Sequence, residues 1–250
     1  MGLLDWRPGI ATLTTPDDEG EAVRDAFQGE LDAIRNGLVE MTQQVGFGMA
    51  RATSALLEAD LDLAETVIAQ DKSIDKRRDE LEERAYDLLA RQQPVVATDL
   101  RTVITSMRMT ADLERMGDLA LHVAKVARMR YPSSAVPPEM VATIMEMGHV
   151  AQRIVTKAGS VIASRNVQAA LELEANDDEM DRLNETMFRA LMSPDWAHGI
   201  QTAVDLAQLA RFYERFADHA VSVAHRVVYL ATGEWPGARD DEPNSYTTAN

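Results

Sequence analysis

Residues 111–120 are Ala-Asp-Leu-Glu-Arg-Met-Gly-Asp-Leu-Ala, and residues 212–220 are Phe-Tyr-Glu-Arg-Phe-Ala-Asp-His-Ala. Both stretches contain Glu-Arg-x-x-Asp, in which the two acids are four positions apart. On an α-helix that spacing places both carboxylates on one face, a single turn apart. The two stretches therefore predict two equivalent acidic helices within one chain.

These stretches belong to a duplication that covers most of the chain. A shift of 106 residues aligns the earlier parts of the two halves, and a shift of 100 aligns the later parts. The first shift pairs Leu38 with Ile144, Asp71 with Asp177 and Asp75 with Asp181, and the second pairs Glu114 with Glu214 and Asp118 with Asp218. The change of shift indicates a short deletion in the second half, between its second and third helices.

The apolar residues of the first half recur every three or four positions, which is the period of one helix face. In the first segment they are Leu31, Ile34, Leu38, Met41, Val45, Met49, Ala52 and Leu56. This spacing predicts a helix at about 25–58, a second helix that follows the N-cap Asp60 and ends near Arg91, and a third at about 97–130. The duplication then predicts helices at about 138–164, 166–192 and 196–232.

We therefore predict an all-α fold of two homologous antiparallel three-helix bundles. The first bundle spans residues 23–132 and the second spans residues 133–234. Residues 1–22 contain two prolines and three glycines without helical periodicity, and we interpret them as a flexible N-terminal extension. We interpret residues 235–250 as a flexible acidic tail.

The composition excludes several classes of protein. The net charge is −16 and only 4 residues are lysine, so nucleic-acid binding is disfavoured. The chain contains no cysteine, which confines any metal site to oxygen and nitrogen ligands. Neither a membrane span nor the apolar run of a signal peptide is visible, so we expect a cytoplasmic protein.

The acidic pairs are candidate metal ligands. Two carboxylates one helical turn apart can chelate or bridge hard cations, and a neighbouring helix can supply a second pair. A chain with 41 acidic residues contains several such pairs by chance, but recurrence in both repeats favours a function. The candidates are Glu114, Asp118, Glu214 and Asp218 in the third and sixth helices, with Asp71, Asp75, Asp177 and Asp181 in the second and fifth.

At these residues the chain resembles the PhoU family of phosphate-transport accessory and regulatory proteins. The resemblance covers about residues 24–233. It is carried by Glu-Arg-x-x-Asp in both halves, Asp99-Leu100-Arg101, Asp218-His219 and the ending Val228-Tyr229-Leu230-Ala231-Thr232-Gly233. Family members usually begin near the equivalent of Val23, a residue that an alternative start codon can encode, so we expect the native chain to begin there.

The resemblance implies a negative regulator of the phosphate-starvation response and of phosphate uptake, and no enzyme. It implies contacts with the ATPase or permease component of the Pst phosphate ABC transporter and with a sensor histidine kinase, at the inner face of the membrane. It also implies a homodimer and bound metal ions such as iron, zinc, nickel, manganese or magnesium. The family's acidic motif matches Glu114, Asp118, Glu214 and Asp218, whereas the acids of the second and fifth helices match it less closely.

Two alternatives remain at this point. A ferritin-like di-metal oxidoreductase needs two Glu-x-x-His motifs and two further glutamates. This chain has a single such motif, Glu146 with His149, and His149 aligns with Gln43 in the first half. The other alternative is a helical adaptor whose acids bind no metal.

Overall fold

The computed structural model describes residues 16–91, 96–174 and 177–236, with side chains from residue 24 onward except those of residues 174 and 177. Within these ranges every regular element is a helix. The prediction of an all-α fold is confirmed.

The first repeat consists of three long helices joined by short connections. Helix α1 spans Pro16–Glu58, α2 spans Leu61–Arg91 and α3 spans Ala97–Arg130. Asp60 caps α2 as predicted, because its Oδ1 accepts a hydrogen bond from the Leu63 backbone N–H at 2.9 Å.

Helix α1 begins at Pro16, well before the predicted start near residue 25. This corrects the prediction that residues 16–22 belong to a flexible extension, while residues 1–15 lie outside the described residues. The sequence Pro16-Asp17-Asp18-Glu19 explains the early start. Proline is favoured at the first helical position, and acidic residues in the first turn complement the helix dipole.

The second repeat has the same order of elements. A short 3-10 turn at Pro138–Met140 leads into α4, which spans Val141–Ser164. Helix α5 spans Val167–Glu174, α6 spans Asp177–Leu191 and α7 spans Gly199–Thr232. Helices α5 and α6 together cover the helix predicted at 166–192, on either side of residues 175–176, which lie outside the described part of the chain.

Trp235 packs on the end of α7, and this corrects the prediction that the flexible tail begins there. The centroid of its ring lies 5.9 Å from that of Tyr229 and 6.4 Å from that of His225. The guanidinium carbon of Arg226 lies 5.7 Å from the Trp235 ring centroid. The rest of the predicted tail, from residue 237, lies outside the described residues.

One hydrophobic core runs through both repeats. Helix α1 packs against α2, α3 and α4, and α3 also packs against α7. The eight apolar residues of the predicted α1 stripe are all buried in this core, and none is more than 7% exposed. The two bundles are therefore docked through equivalent helices, α1 with α4 and α3 with α7.

Two reciprocal close contacts hold α1 against α4. A Cβ atom added to Gly159 would lie 2.4 Å from Oγ1 of Thr42, and one added to Gly148 would lie 2.8 Å from Cγ2 of Thr53. The shift of 106 residues relates Thr42 to Gly148 and Thr53 to Gly159. Each threonine of α1 therefore faces the glycine of α4 that is equivalent to the other threonine, as expected for a pseudo-two-fold axis between the repeats.

Thr53 also connects α1 to α7. Its Oγ1 donates a hydrogen bond to the Met49 carbonyl at 2.8 Å and lies 2.7 Å from the Tyr213 hydroxyl, which therefore acts as the donor in that pair. Burial raises the pKa of the Tyr213 phenol. The hydrogen bond satisfies a polar group that would otherwise be destabilising in the core.

We predict that Gly159→Ala destabilises the protein, because the new methyl group occupies the space of Thr42 Oγ1. Overpacking of this kind lowers the free energy of unfolding by roughly 1–3 kcal/mol. Urea denaturation followed by circular dichroism measures the change.

Gly29→Ala is the matched control, because an added Cβ at Gly29 of α1 meets nothing within 4 Å. This substitution is expected to raise the free energy of unfolding by up to about 1 kcal/mol through helix propensity. Equal effects of the two substitutions would contradict a close α1–α4 contact.

Candidate functional site

Four carboxylates of the first repeat lie together on α2 and α3, and we term them the first acidic face: Asp71, Asp75, Glu114 and Asp118. All four side chains are half-buried. Beneath them the two helices approach closely, because a Cβ added to Gly117 would lie 2.8 Å from Cδ1 of Ile74. The small residue at position 117 therefore brings the two acidic pairs near each other.

The negative charges of the first acidic face act on one another. Partial burial and the charges of Asp118 and Asp75 raise the pKa of Asp71. Partial burial and the charge of Asp118 also raise the pKa of Glu114, although Arg78 opposes the rise. Arg78 Nη1 donates a hydrogen bond to Glu114 Oε1 at 2.7 Å. Arg115 also opposes the rise for Glu114, and Lys125 and His122 oppose that for Asp71, but both pKa values remain raised. The face therefore retains uncompensated negative charge.

The second repeat carries a corresponding second acidic face, formed by Asp181 of α6 with Glu214 and Asp218 of α7. Partial burial and the charge of Glu214 raise the pKa of Asp218, and Asp181 adds to the rise. Arg211 Nη1 donates a hydrogen bond to Glu214 Oε2 at 2.6 Å. The side chain of Asp177, the remaining predicted member, lies outside the described residues.

Each acidic face lies within one of two copies of a known domain. The family model described as "PhoU domain" matches residues 38–127 and again residues 144–227. The chain belongs to the PhoU family. The resemblance seen in the sequence is thereby confirmed, and so is the expectation of two homologous repeats.

Individual PhoU proteins are similar to the chain over most of their length. The phosphate-specific transport system accessory protein PhoU homolog 2 of Mycobacterium tuberculosis is 46% identical over 214 residues, which cover 86% of this chain and 100% of that protein. The crystal structure of PhoU from Pseudomonas aeruginosa has a TM-score of 0.76 and 31% identity, and covers 83% of this chain and 100% of that chain. The phosphate transport system regulatory protein PhoU of Streptococcus pneumoniae has a TM-score of 0.73 and 26% identity, with coverages of 84% and 98%.

The candidate metal ligands do not form a ready-made site. Within residues 16–91, 96–174 and 177–236, no three histidine or carboxylate side chains converge closely enough to hold a metal ion. The oxygen donors themselves suit hard cations. Metal binding would therefore require these side chains to rotate, and the eight predicted ligands stay a prediction.

Asp112 is a buried acid that the sequence analysis did not select. It is 4% exposed and accepts hydrogen bonds from Arg226 Nε at 2.9 Å and Ser222 Oγ at 3.2 Å, and His219 Nδ1 lies 3.2 Å from its Oδ1. Burial opposes ionisation of Asp112, but the hydrogen bonds from His219 and Arg226 outweigh it and lower its pKa. All three partners belong to α7, so Asp112 links the two repeats.

Asp205 is a second buried acid that links the repeats. In this pair the acid belongs to α7 and its arginine partner belongs to α3. Arg130 at the end of α3 donates to Asp205 of α7 from Nε at 2.5 Å and from Nη2 at 2.8 Å. Asp205 is also 4% exposed. No local sequence signal distinguishes these two acids from solvated ones, because their partners lie far away in the chain.

The structure and the comparisons oppose a ferritin-like oxidase. PhoU proteins are accessory and regulatory proteins rather than enzymes. The single Glu-x-x-His motif lies on the exposed side of α4, where His149 Nδ1 is 3.5 Å from Glu146 Oε2. Glu146 also accepts a hydrogen bond from Arg153 at 3.2 Å, which makes this motif an ordinary surface ion pair.

In the part of the chain that the structure describes, no helix combines the length and the apolar character needed to cross a bilayer.

We predict that Asp118→Asn lowers the pKa of both Asp71 and Glu114, because it removes a negative charge that raises them. In metal-free buffer the substitution should also raise the free energy of unfolding by roughly 0.2–0.5 kcal/mol at pH 7. The gain should disappear as the pH falls through the raised pKa values, since the neighbouring carboxyls are then protonated. Carboxyl NMR titration and urea denaturation measure the two effects.

Asp181→Asn is the matched control in the second repeat. It should lower the pKa of Asp218 and leave Asp71 and Glu114 unchanged. If Asp118→Asn left the pKa values of Asp71 and Glu114 unchanged, the first acidic face would not be a coupled cluster.

Proposed function

We propose that the chain is a negative regulator of the phosphate-starvation response and of phosphate uptake. It would link the ATPase or permease component of the Pst phosphate transporter to a sensor histidine kinase, as a cytoplasmic homodimer recruited to the inner face of the membrane. The observation that carries this proposal is the pair of equivalent acidic faces, one in each repeat. The relatives of the chain, which are phosphate-specific transport accessory and regulatory proteins, support it.

Two acidic faces, one in each repeat, suit an adaptor between partners. Complementary charge increases the rate of encounter and fixes the orientation of two proteins, so each face favours a basic partner surface or a bound cation. The shared core supports this role, because it holds the two faces in one folded body. An adaptor of this kind needs no catalytic residues.

Metal binding at the faces is the more specific part of the proposal. The ligands would be Asp71, Asp75, Glu114 and Asp118 in the first repeat, with Asp177, Asp181, Glu214 and Asp218 in the second. A bound iron, zinc, nickel, manganese or magnesium ion would neutralise the carboxylates that now repel one another. The raised pKa values of Asp71, Glu114 and Asp218 support this, because they reflect burial and repulsion that a cation would relieve.

We predict that Glu114→Ala combined with Asp118→Ala reduces the metal content of the protein without unfolding it. The equivalent double variant of the second repeat changes Glu214 and Asp218. Elemental analysis gives the number of metal ions per chain. The rise in melting temperature on adding metal should be smaller in these variants, because a metal that binds the native state stabilises it by mass action.

The control is a double variant at exposed acids outside both faces, Asp87→Ala with Glu185→Ala, which should retain its metal. Both acids form surface pairs four residues apart, with Arg91 and Arg189. Unchanged metal stoichiometry in both acidic-face variants would reject these ligands and leave the metal-free adaptor.

The regulatory role is tested in phosphate-rich cells of the native host. Deletion of the gene should raise a phosphate-starvation reporter and phosphate uptake, and the tagged protein should co-purify with a transporter or kinase component. Normal reporter activity after deletion would contradict the proposed function, whatever the metal content of the protein.

A further inference from the structure

An exposed apolar hollow lies at the turn between α6 and α7, and we term it the second-repeat hollow. It has a volume of about 580 Å³, and its larger lining residues are Phe188, Leu191, Met192, Trp196, Ile200 and Val204. Ile200 is 85% exposed and Met192 is 75% exposed, the highest values among the described large apolar side chains. Among the described residues that line the hollow, none is charged. A contiguous apolar surface of this kind indicates an interaction site.

The exposed area of the hollow is that of a protein interface. At their exposed fractions, Phe188, Met192, Ile200 and Val204 together present roughly 500 Å² to solvent, which is about the size of the largest apolar patch on a typical monomer. A standard interface buries about 800 Å² per partner, and about 65% of a homodimer interface is apolar. The hollow therefore supplies the apolar part of one side of such an interface, and the polar residues around it supply the rest.

The first repeat has more charge at the equivalent surface. Leu100 and Ile104 are equivalent to Ile200 and Val204, but Leu100 is only 41% exposed. Four charged residues of the first repeat have uncharged counterparts in or next to the hollow, where Phe188, Gly199, Gln201 and Gln208 replace Glu82, Asp99, Arg101 and Arg108. The uncharged hollow is thus a specific property of the second repeat and not a general consequence of the fold.

The absence of charge from the lining residues favours a second copy of the chain as the occupant. Two molecules that each have a net charge of −16 repel each other least where neither presents charge at the contact. A two-fold interface also requires a surface that is complementary to itself. An uncharged apolar surface meets this requirement, whereas an acidic face would oppose carboxylates to carboxylates.

We propose that two copies of the chain form a two-fold dimer through their second-repeat hollows. In this dimer Ile200 and Met192 lose their contact with water, and the burial of apolar surface drives the association. The inference names the contact surface of the homodimer in the proposed function, and it rests on that part of the proposal.

The second acidic face lies outside this contact. Ile200, Val204 and Ala207 of the hollow share one face of α7 with Glu214, because they are three, four or seven positions apart. Glu214 follows Ala207 by a rise of about 10.5 Å along the helix, which exceeds the Debye length of about 8 Å at physiological ionic strength. The charge of the acidic face therefore opposes dimerisation only weakly.

Sedimentation analysis of the full chain tests the proposal, in buffer with a chelator that removes metal ions able to bridge acidic faces. We expect a monomer–dimer equilibrium that persists at high ionic strength, because salt screens charges and does not weaken apolar burial. Ile200→Asp should weaken dimerisation roughly a hundredfold or more, because each dimer loses two buried isoleucines. The new acid lies in the first turn of α7, where it complements the helix dipole, so the variant should fold.

Leu100→Asp is the matched control, because Leu100 is equivalent to Ile200 in the first repeat. It should dimerise like the wild type. Circular dichroism checks the fold of both variants. A folded Leu100→Asp chain that fails to dimerise would overturn the proposal.

Crosslinking provides a second measurement that does not require the contact to be disrupted. The chain contains no cysteine, so Gln208→Cys and Arg108→Cys each add a single thiol at equivalent exposed positions. A bismaleimide reagent should join Gln208→Cys chains into covalent dimers much more efficiently than Arg108→Cys chains.

Several results would overturn the proposal. They are a wild-type chain that stays monomeric, which would leave the hollow to a different partner, a dimer that dissociates at high salt, a folded Ile200→Asp chain that dimerises like the wild type, and equal crosslinking at the two cysteine positions. None of these results changes the outcome of the reporter assay in cells, which tests the regulatory role separately.

Discussion

The close approach of α1 and α4 is the constraint on which the rest of the structure depends. Gly148 and Gly159 leave no side chain between the helices, so Thr53 and Thr42 pack directly against the α4 backbone. Because the two contacts are reciprocal, they impose a pseudo-two-fold arrangement on the repeats. That arrangement also places α3 against α7, which are again equivalent helices. One core then serves both bundles, and the carboxylates of the two acidic faces stay accessible.

The chain has a net charge of −16, and two groups of its acidic residues have different roles. Asp112 and Asp205 are buried where α3 meets α7, and each is neutralised by an arginine of the other helix, Arg226 and Arg130. An unpaired carboxylate there would be strongly destabilising, so the pairs are a condition for docking. The acids of the two faces have too few basic side chains beside them to offset their charge, so the carboxylates still repel one another. Carboxylates therefore join the repeats inside the molecule and leave uncompensated negative charge at its surface.

The sequence predicts those features that depend on local spacing. The burial of the stripe from Leu31 to Leu56 could be predicted because residues that recur every 3.6 positions lie on one helix face. The acidic pairs could be predicted because positions i and i+4 are neighbours on any helix. The duplication then indicates which pairs are equivalent. The roles of Asp112 and of Asp205 depend instead on which helices meet and how closely, and Asp112 contacts His219 across 107 positions of the chain. Periodicity carries no information about such distant partners.

The exchange of threonine and glycine across the pseudo-two-fold axis makes the halves complementary rather than interchangeable. Two copies of the first repeat would oppose threonine to threonine at both contacts and clash, whereas two copies of the second would oppose glycine to glycine and leave gaps. Divergence after the gene duplication has therefore made each half dependent on the other. We therefore expect substitutions at this contact to occur in pairs, because a larger side chain on one helix fits only if the facing residue becomes smaller.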